Sequence, residues 1–80
     1  MKKDPESLSG AIEASLDKFF EMHEKDNPDS GLYDRIISEV EYILIKKTLN
    51  HVDGVQAQAS KILGINRNTL RKKVKELGIL

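Results

Sequence analysis

Between Leu32 and Leu49 the apolar residues Leu32, Tyr33, Ile36, Ile37, Val40, Tyr42, Ile43, Leu44, Ile45 and Leu49 follow helical spacing, yet they wrap more than one face of the helix they predict. A helix that is apolar on several sides has to be covered on several sides. With 80 residues and no cysteine, the chain has little further polypeptide and no disulfide to supply that cover. A chain of this size completes its core most simply with a second copy of itself, so an oligomer is expected. A short β-branched run such as Tyr42 to Ile45 also fits a strand. Ile36, Val40 and Ile43 carry the helical period straight into it, which favours the helix.

The remaining segments predict an all-α chain of four helices. The first runs from about Ser7 to Lys25, where Leu8, Ile12, Leu16, Phe19, Phe20 and His23 form one stripe; Ser7 and Asp4, the latter followed by Pro5, are competing starts. The stretch Asp26-Asn27-Pro28-Asp29-Ser30-Gly31 is dense in turn formers and reads as a linker. A second helix runs from about Gly31 to Asn50, with Ser30 as its cap. After the turn at Asp53-Gly54 a short helix covers about Gln56 to Leu63, with Ala57, Ala59, Ile62 and Leu63 as packing residues. Gly64 ends it where a left-handed cap costs least, Ile65 enters the core, Asn66 caps, and a last helix runs from about Arg67 to Leu77 and stops at Gly78. Two short helices joined by a tight turn containing Gly form a helix-turn-helix.

The formal charge sums to zero but is divided along the chain. Residues 1–53 hold seven Lys/Arg against twelve Asp/Glu, a net of −5, and residues 54–80 hold six against one, a net of +5. Such asymmetry points to nucleic acid or a membrane surface as the partner of the basic end, with a well-solvated face as the plain alternative. The acidic front half is expected to point away from that partner. At about 100° per residue, Leu70, Val74 and Leu77 fall on one side of the last helix. Arg67, Asn68, Arg71, Lys72 and Lys75 occupy the adjoining and opposite sides, while Thr69 and Lys73 line the other flank. A helix that enters the major groove needs this division. Its apolar stripe holds it to the domain while cationic and amide side chains reach phosphates and base edges. Arg can pair two-pronged with guanine, Asn with adenine, and the Thr methyl can touch thymine. A solvated face is the plain alternative for Lys61, Lys72 and Lys75, and a simple capping role for Asn66.

The stretch Gly64-Ile65-Asn66-Arg67-Asn68-Thr69-Leu70-Arg71-Lys72-Lys73-Val74-Lys75-Glu76-Leu77-Gly78-Ile79 resembles the terminal helix-turn-helix of the Fis family of bacterial DNA-binding proteins. It resembles equally the C-terminal DNA-binding domain of NtrC-type enhancer-binding activators. The likeness continues more weakly through Leu32-Tyr33 and Glu39-Val40-Glu41, about three-quarters of the chain in all. The resemblance implies an intertwined homodimer whose two long helices form a four-helix core, with Leu16, Phe19, Phe20, Ile36, Val40, Ile43 and Leu44 as candidate interface residues. It places Asn66, Arg67, Thr69, Arg71, Lys72 and Lys73 on the DNA side and implies bent DNA. Two positions depart from the pattern. Val55 stands where the family often has a polar cap, and Gln56 is the substitute contact; Asn68 stands where a Gly can occur and adds a further candidate contact. The residues before the first helix, Met1 to about Glu6, are too few for the arm that free-standing Fis proteins use in DNA inversion, which favours the activator domain.

Other function classes find little support. His23 and His51 are isolated, no Gly-rich phosphate loop precedes a helix, and His51 with Asp53 is the nearest approach to a metal site, so no enzyme, metal or cofactor is expected. The longest apolar run, Tyr42 to Ile45, is far short of the roughly 20 residues of a membrane span. With no secretory signal and no cysteine, a cytoplasmic, nucleoid-associated location is expected. The expectation is therefore a single DNA-binding domain, residues 1–53 for dimerisation and 54–80 for the helix-turn-helix, recognising a two-fold operator or enhancer site in double-stranded DNA. A free-standing Fis-like DNA-bending protein and a pure dimerisation or partner-binding module are the alternatives. Only the last predicts no salt-sensitive affinity for duplex DNA.

Overall fold

The computed structural model describes residues 7–22 and 31–79, and the chain divides into two compact units, residues 1–30 and 31–80. The first holds helix α1 (Leu8–Met22). Ser7 starts it: its Oγ accepts the Gly10 N–H at 3.0 Å, and its carbonyl accepts the Ala11 N–H at 3.0 Å. The hydroxyl thereby satisfies one of the N–H groups that a helix start leaves without a partner. Leu16 and Phe19 are half-buried, Phe20 is exposed, and the two Phe rings meet edge to face with centroids 5.4 Å apart. The Asp4-Pro5 start, His23, the expected helix end at Lys25 and most of the linker lie outside the described residues.

The second unit holds α2 (Leu32–His51), α3 (Gln56–Leu63) and α4 (Arg67–Leu77). α2 follows Gly31 and runs unbroken through Tyr42–Ile45, so the strand alternative fails; Ser30, its expected cap, lies outside the described residues. Helical geometry separates the two apolar faces of α2. Ile45 and Leu49 are buried and join Ala59 of α3, Leu70 of α4 and Ile79 in one small core, with Tyr42, Val52, Leu63, Ile65, Val74 and Leu77 packed around it. On the opposite side Tyr33, Ile37, Val40, Ile43 and Leu44 remain exposed. Two buried hydroxyls are satisfied within their own helices, Thr48 donating to the Leu44 carbonyl at 2.7 Å and Ser60 to the Ala57 carbonyl at 2.9 Å. The core therefore carries neither as an unpaired polar group.

The turn between α3 and α4 depends on Gly64, which adopts φ 74, a left-handed conformation that costs an L side chain but not glycine. The Gly64 and Ile65 N–H groups donate to the Ser60 carbonyl at 2.9 and 3.1 Å, closing α3. Ile65 then turns onto the core and Asn66 opens α4. At the far end the Ile79 N–H returns to the Val74 carbonyl at 3.0 Å, which brings the buried Ile79 under the last turn of α4. α4 is thus held from within at Leu70 and from beyond its end at Ile79.

Candidate nucleic-acid interface

Leu70 has 0% of its surface exposed, so the orientation of α4 about its own axis is fixed by its deepest side chain. With Leu70 inward, Asn68, Arg71, Lys72 and Lys75 share an outer arc of about 100°, and all four are exposed. Arg67 stands exposed at the first turn and Thr69 on the opposite flank. Among the described residues no ion pair or side-chain hydrogen bond engages Arg67, Arg71, Lys72 or Lys75. Their donors are free to meet an anion.

The start of α4 is built for the same sign of partner. The Asn66 Oδ1 accepts the Asn68 N–H at 2.7 Å, so Asn66 is the cap. It leaves the positive end of the helix dipole at the turn that presents Arg67. The start of α3 differs: Val55 occupies its cap position without a side-chain hydrogen bond, and Gln56 follows half-buried. Lys61 is exposed on α3, as is the apolar Ile62.

Lys73 stands apart from the other cations. Its Nζ donates to Glu41 Oε2 of α2 at 2.6 Å, with the two side chains 33% and 34% exposed. That hydrogen bond and the carboxylate charge hold the lysine above its ordinary pKa, with Glu76 adding and desolvation opposing. The charge projection put Lys73 on a flank of α4 but gave no sign of Glu41, which lies 32 positions away in sequence.

The candidate dimer residues divide between the units. On α2, Ile36 is half-buried while Val40, Ile43 and Leu44 are 44%, 57% and 52% exposed. Tyr33 and Ile37, absent from the sequence-based interface, share that face and are exposed too; their spacing from Val40 and Leu44 was the available signal. No described helix is long and apolar enough to cross a membrane.

Comparison with known proteins identifies the module. The family model described as "Bacterial regulatory protein, Fis family" matches residues 36–77, more than half of the chain. The chain belongs to the Fis family of bacterial regulatory proteins. The Fis-family match takes in most of α2 and the whole helix-turn-helix, and the family is one of regulators, not enzymes. Among relatives, the DNA-binding transcriptional regulator NtrC of Azospirillum brasilense is 47% identical over 74 residues, which are 92% of this chain and 15% of that protein. A putative Fis-like DNA-binding protein of Pseudomonas aeruginosa is 37% identical over 78 residues, 98% of this chain and 74% of that one. The DNA-binding protein Fis of Buchnera aphidicola is 41% identical over 68 residues, 85% and 69% of the two chains. The chain thus spans about 15% of the length of the NtrC regulators it matches.

Proposed function

We propose that this chain is a homodimeric, sequence-selective double-stranded DNA-binding domain of a bacterial NtrC-type transcriptional regulator, acting in the cytoplasm on the nucleoid. One observation carries the reading: α4 is clamped through a fully buried Leu70 while Arg67, Asn68, Arg71, Lys72 and Lys75 stand exposed around it. In the major groove Arg67 and Arg71 are suited to guanine, Asn68 to adenine and the Thr69 methyl to thymine. Lys72, Lys75, Gln56 and the Asn66-capped helix start grip phosphates and set the register.

The outward face of α2, with Ile36, Val40, Ile43 and Leu44, and the α1 residues Leu16, Phe19 and Phe20 form the homodimer contact. Residues 1–53 then dimerise and residues 54–80 read DNA. A two-fold protein presents its reading helices to half-sites about 34–36 Å apart, one turn of duplex, so the site itself is two-fold. A second reading, a free-standing Fis-like DNA-bending protein, is favoured by the chain's coverage of 74% of a putative Fis-like DNA-binding protein and 69% of a DNA-binding protein Fis.

Selection of duplexes from a random pool, with sedimentation of the complex, tests both. The expected result is a two-fold consensus bound by two chains. Failure to enrich any sequence, or a single chain on DNA, overturns the first reading. Strong bending of duplexes without a defined consensus supports the second.

A further inference from the structure

Of the five basic side chains of α4, Lys73 is the one that the described structure engages, and it does so across elements, at 2.6 Å from Glu41 of α2. The location of the pair matters more than its charge. Glu41 lies one turn before the buried Ile45, and Lys73 nearly one turn beyond the buried Leu70. α2 and α4 therefore meet in an apolar contact, where Ile45 and Leu49 join Leu70 with Tyr42, Val74 and Leu77 packed against them, and in a polar one at Glu41 and Lys73. Apolar packing is non-directional and lets one helix rock and slide on another; a hydrogen-bonded ion pair between them has a fixed geometry that restrains both motions.

We propose that the Glu41–Lys73 pair is a strut that sets the angle between α4 and α2, and that Lys73 serves DNA recognition as a positioning residue through Glu41 and not by neutralising a phosphate. The proposal rests on the DNA-binding reading above. α2 carries the proposed dimer face on its other side, so the angle held by the strut is the angle at which each reading helix meets its half-site. Phosphate neutralisation is left to Arg67, Arg71, Lys72 and Lys75, which have no protein partner among the described residues.

The two candidate roles of Lys73 give opposite signs for one substitution. If Lys73 is a phosphate ligand that Glu41 competes for, E41Q releases it and binding tightens. If the pair is a strut, E41Q loosens the angle and selective binding weakens. The 80-residue chain and its E41Q, K73M, K72A and E41K/K73E variants are titrated against a mixed-sequence duplex and against a duplex recovered by selection, over a range of salt. Both side chains are about one-third exposed, so the variants are expected to fold, as far-UV circular dichroism verifies.

K72A is expected to flatten the plot of log affinity against log salt by about 0.9 for each phosphate that is no longer neutralised, about 1.8 for a dimer. K73M is expected to keep the parental slope. E41Q and K73M are each expected to lower the ratio of selected to mixed-sequence affinity by a few-fold, and the charge-swapped double variant to restore it. A K73M slope as flat as that of K72A, tighter binding by E41Q, or parental selectivity in both single variants overturns the strut while leaving DNA binding standing. A parent chain that binds neither duplex overturns the DNA-binding reading and the strut with it.

Discussion

Replacing Leu70 with Ala tests whether one buried side chain holds the reading helix in place. Leu70 is wholly inaccessible, and its core neighbours are Ile45, Leu49, Ala59 and Ile79. Buried Leu→Ala changes cost about 2.7–5.0 kcal/mol, the upper values where surroundings cannot collapse into the cavity. Here Ala59 has only a methyl group, with no rotamer to change, but the half-buried Leu63, Val74 and Leu77 pack against the same core and can relax, which places the expected loss at ~3 kcal/mol. The unit that contains Leu70 has about 50 residues, for which a total stability of about 2.5–7.5 kcal/mol is ordinary. The substitution thus removes a large part of it. Urea denaturation followed by far-UV circular dichroism, at fixed protein concentration because the proposed dimer would couple association to folding, is expected to show the midpoint falling by about 3 M for a slope of ~1 kcal/mol/M. R71A, one residue along on the exposed side, is the control and is expected to change stability by less than about 0.5 kcal/mol. A midpoint for L70A within about 0.5 M of the parent refutes the claim that this leucine anchors α4.

Three further outcomes follow from the same geometry. R71A is expected to weaken binding to a selected duplex by about 1–3 kcal/mol and relax base preference at one position, while K72A weakens all duplexes alike with a shallower salt dependence; quantitative binding to a set of point-substituted sites separates them. I43E, at a side chain 57% exposed on the outward face of α2, is expected to shift sedimentation from dimer to monomer while the helical signal is largely kept, and an unchanged dimer removes α2 from the interface. The raised pKa of Lys73 gives a contribution to stability that is fully present below the ordinary lysine value of about 10.4 and is lost as pH rises through the raised value. Thermal melts of the parent relative to E41Q are therefore expected to keep a constant gap from neutral pH to about pH 9 and to converge in stronger alkali, and a gap that persists there contradicts the pairing.

The helix-turn-helix was the most legible part of the chain. Gly64, Asn66 and Gly78 are punctuation with a direct conformational meaning, and α3 ends, and α4 begins and ends, where those residues put them. α2 was legible as a helix but not in its division of labour. Its apolar residues surround the axis, and only the position of the core shows that Ile45 and Leu49 serve the fold while Val40, Ile43 and Leu44 stay exposed. The outer arc of α4 followed from spacing alone. What spacing cannot supply is the meeting of distant segments: Lys73 reads like its four basic neighbours until Glu41 is brought beside it.

The back-to-back arrangement of α2 also limits which changes of length the domain tolerates. One residue added between Glu41 and Ile45 leaves a sound helix but rotates everything before it by about 100° relative to everything after it. Glu41 or its neighbours then swing off Lys73, and the exterior stripe breaks into two misaligned halves. Four added residues bring the rotation back to within about 40° of register at the expense of about 6 Å of extra rise. Side chains along this helix can therefore be exchanged one position at a time, at a cost set by the burial of each, whereas an insertion or deletion misplaces every position on one side of it at once.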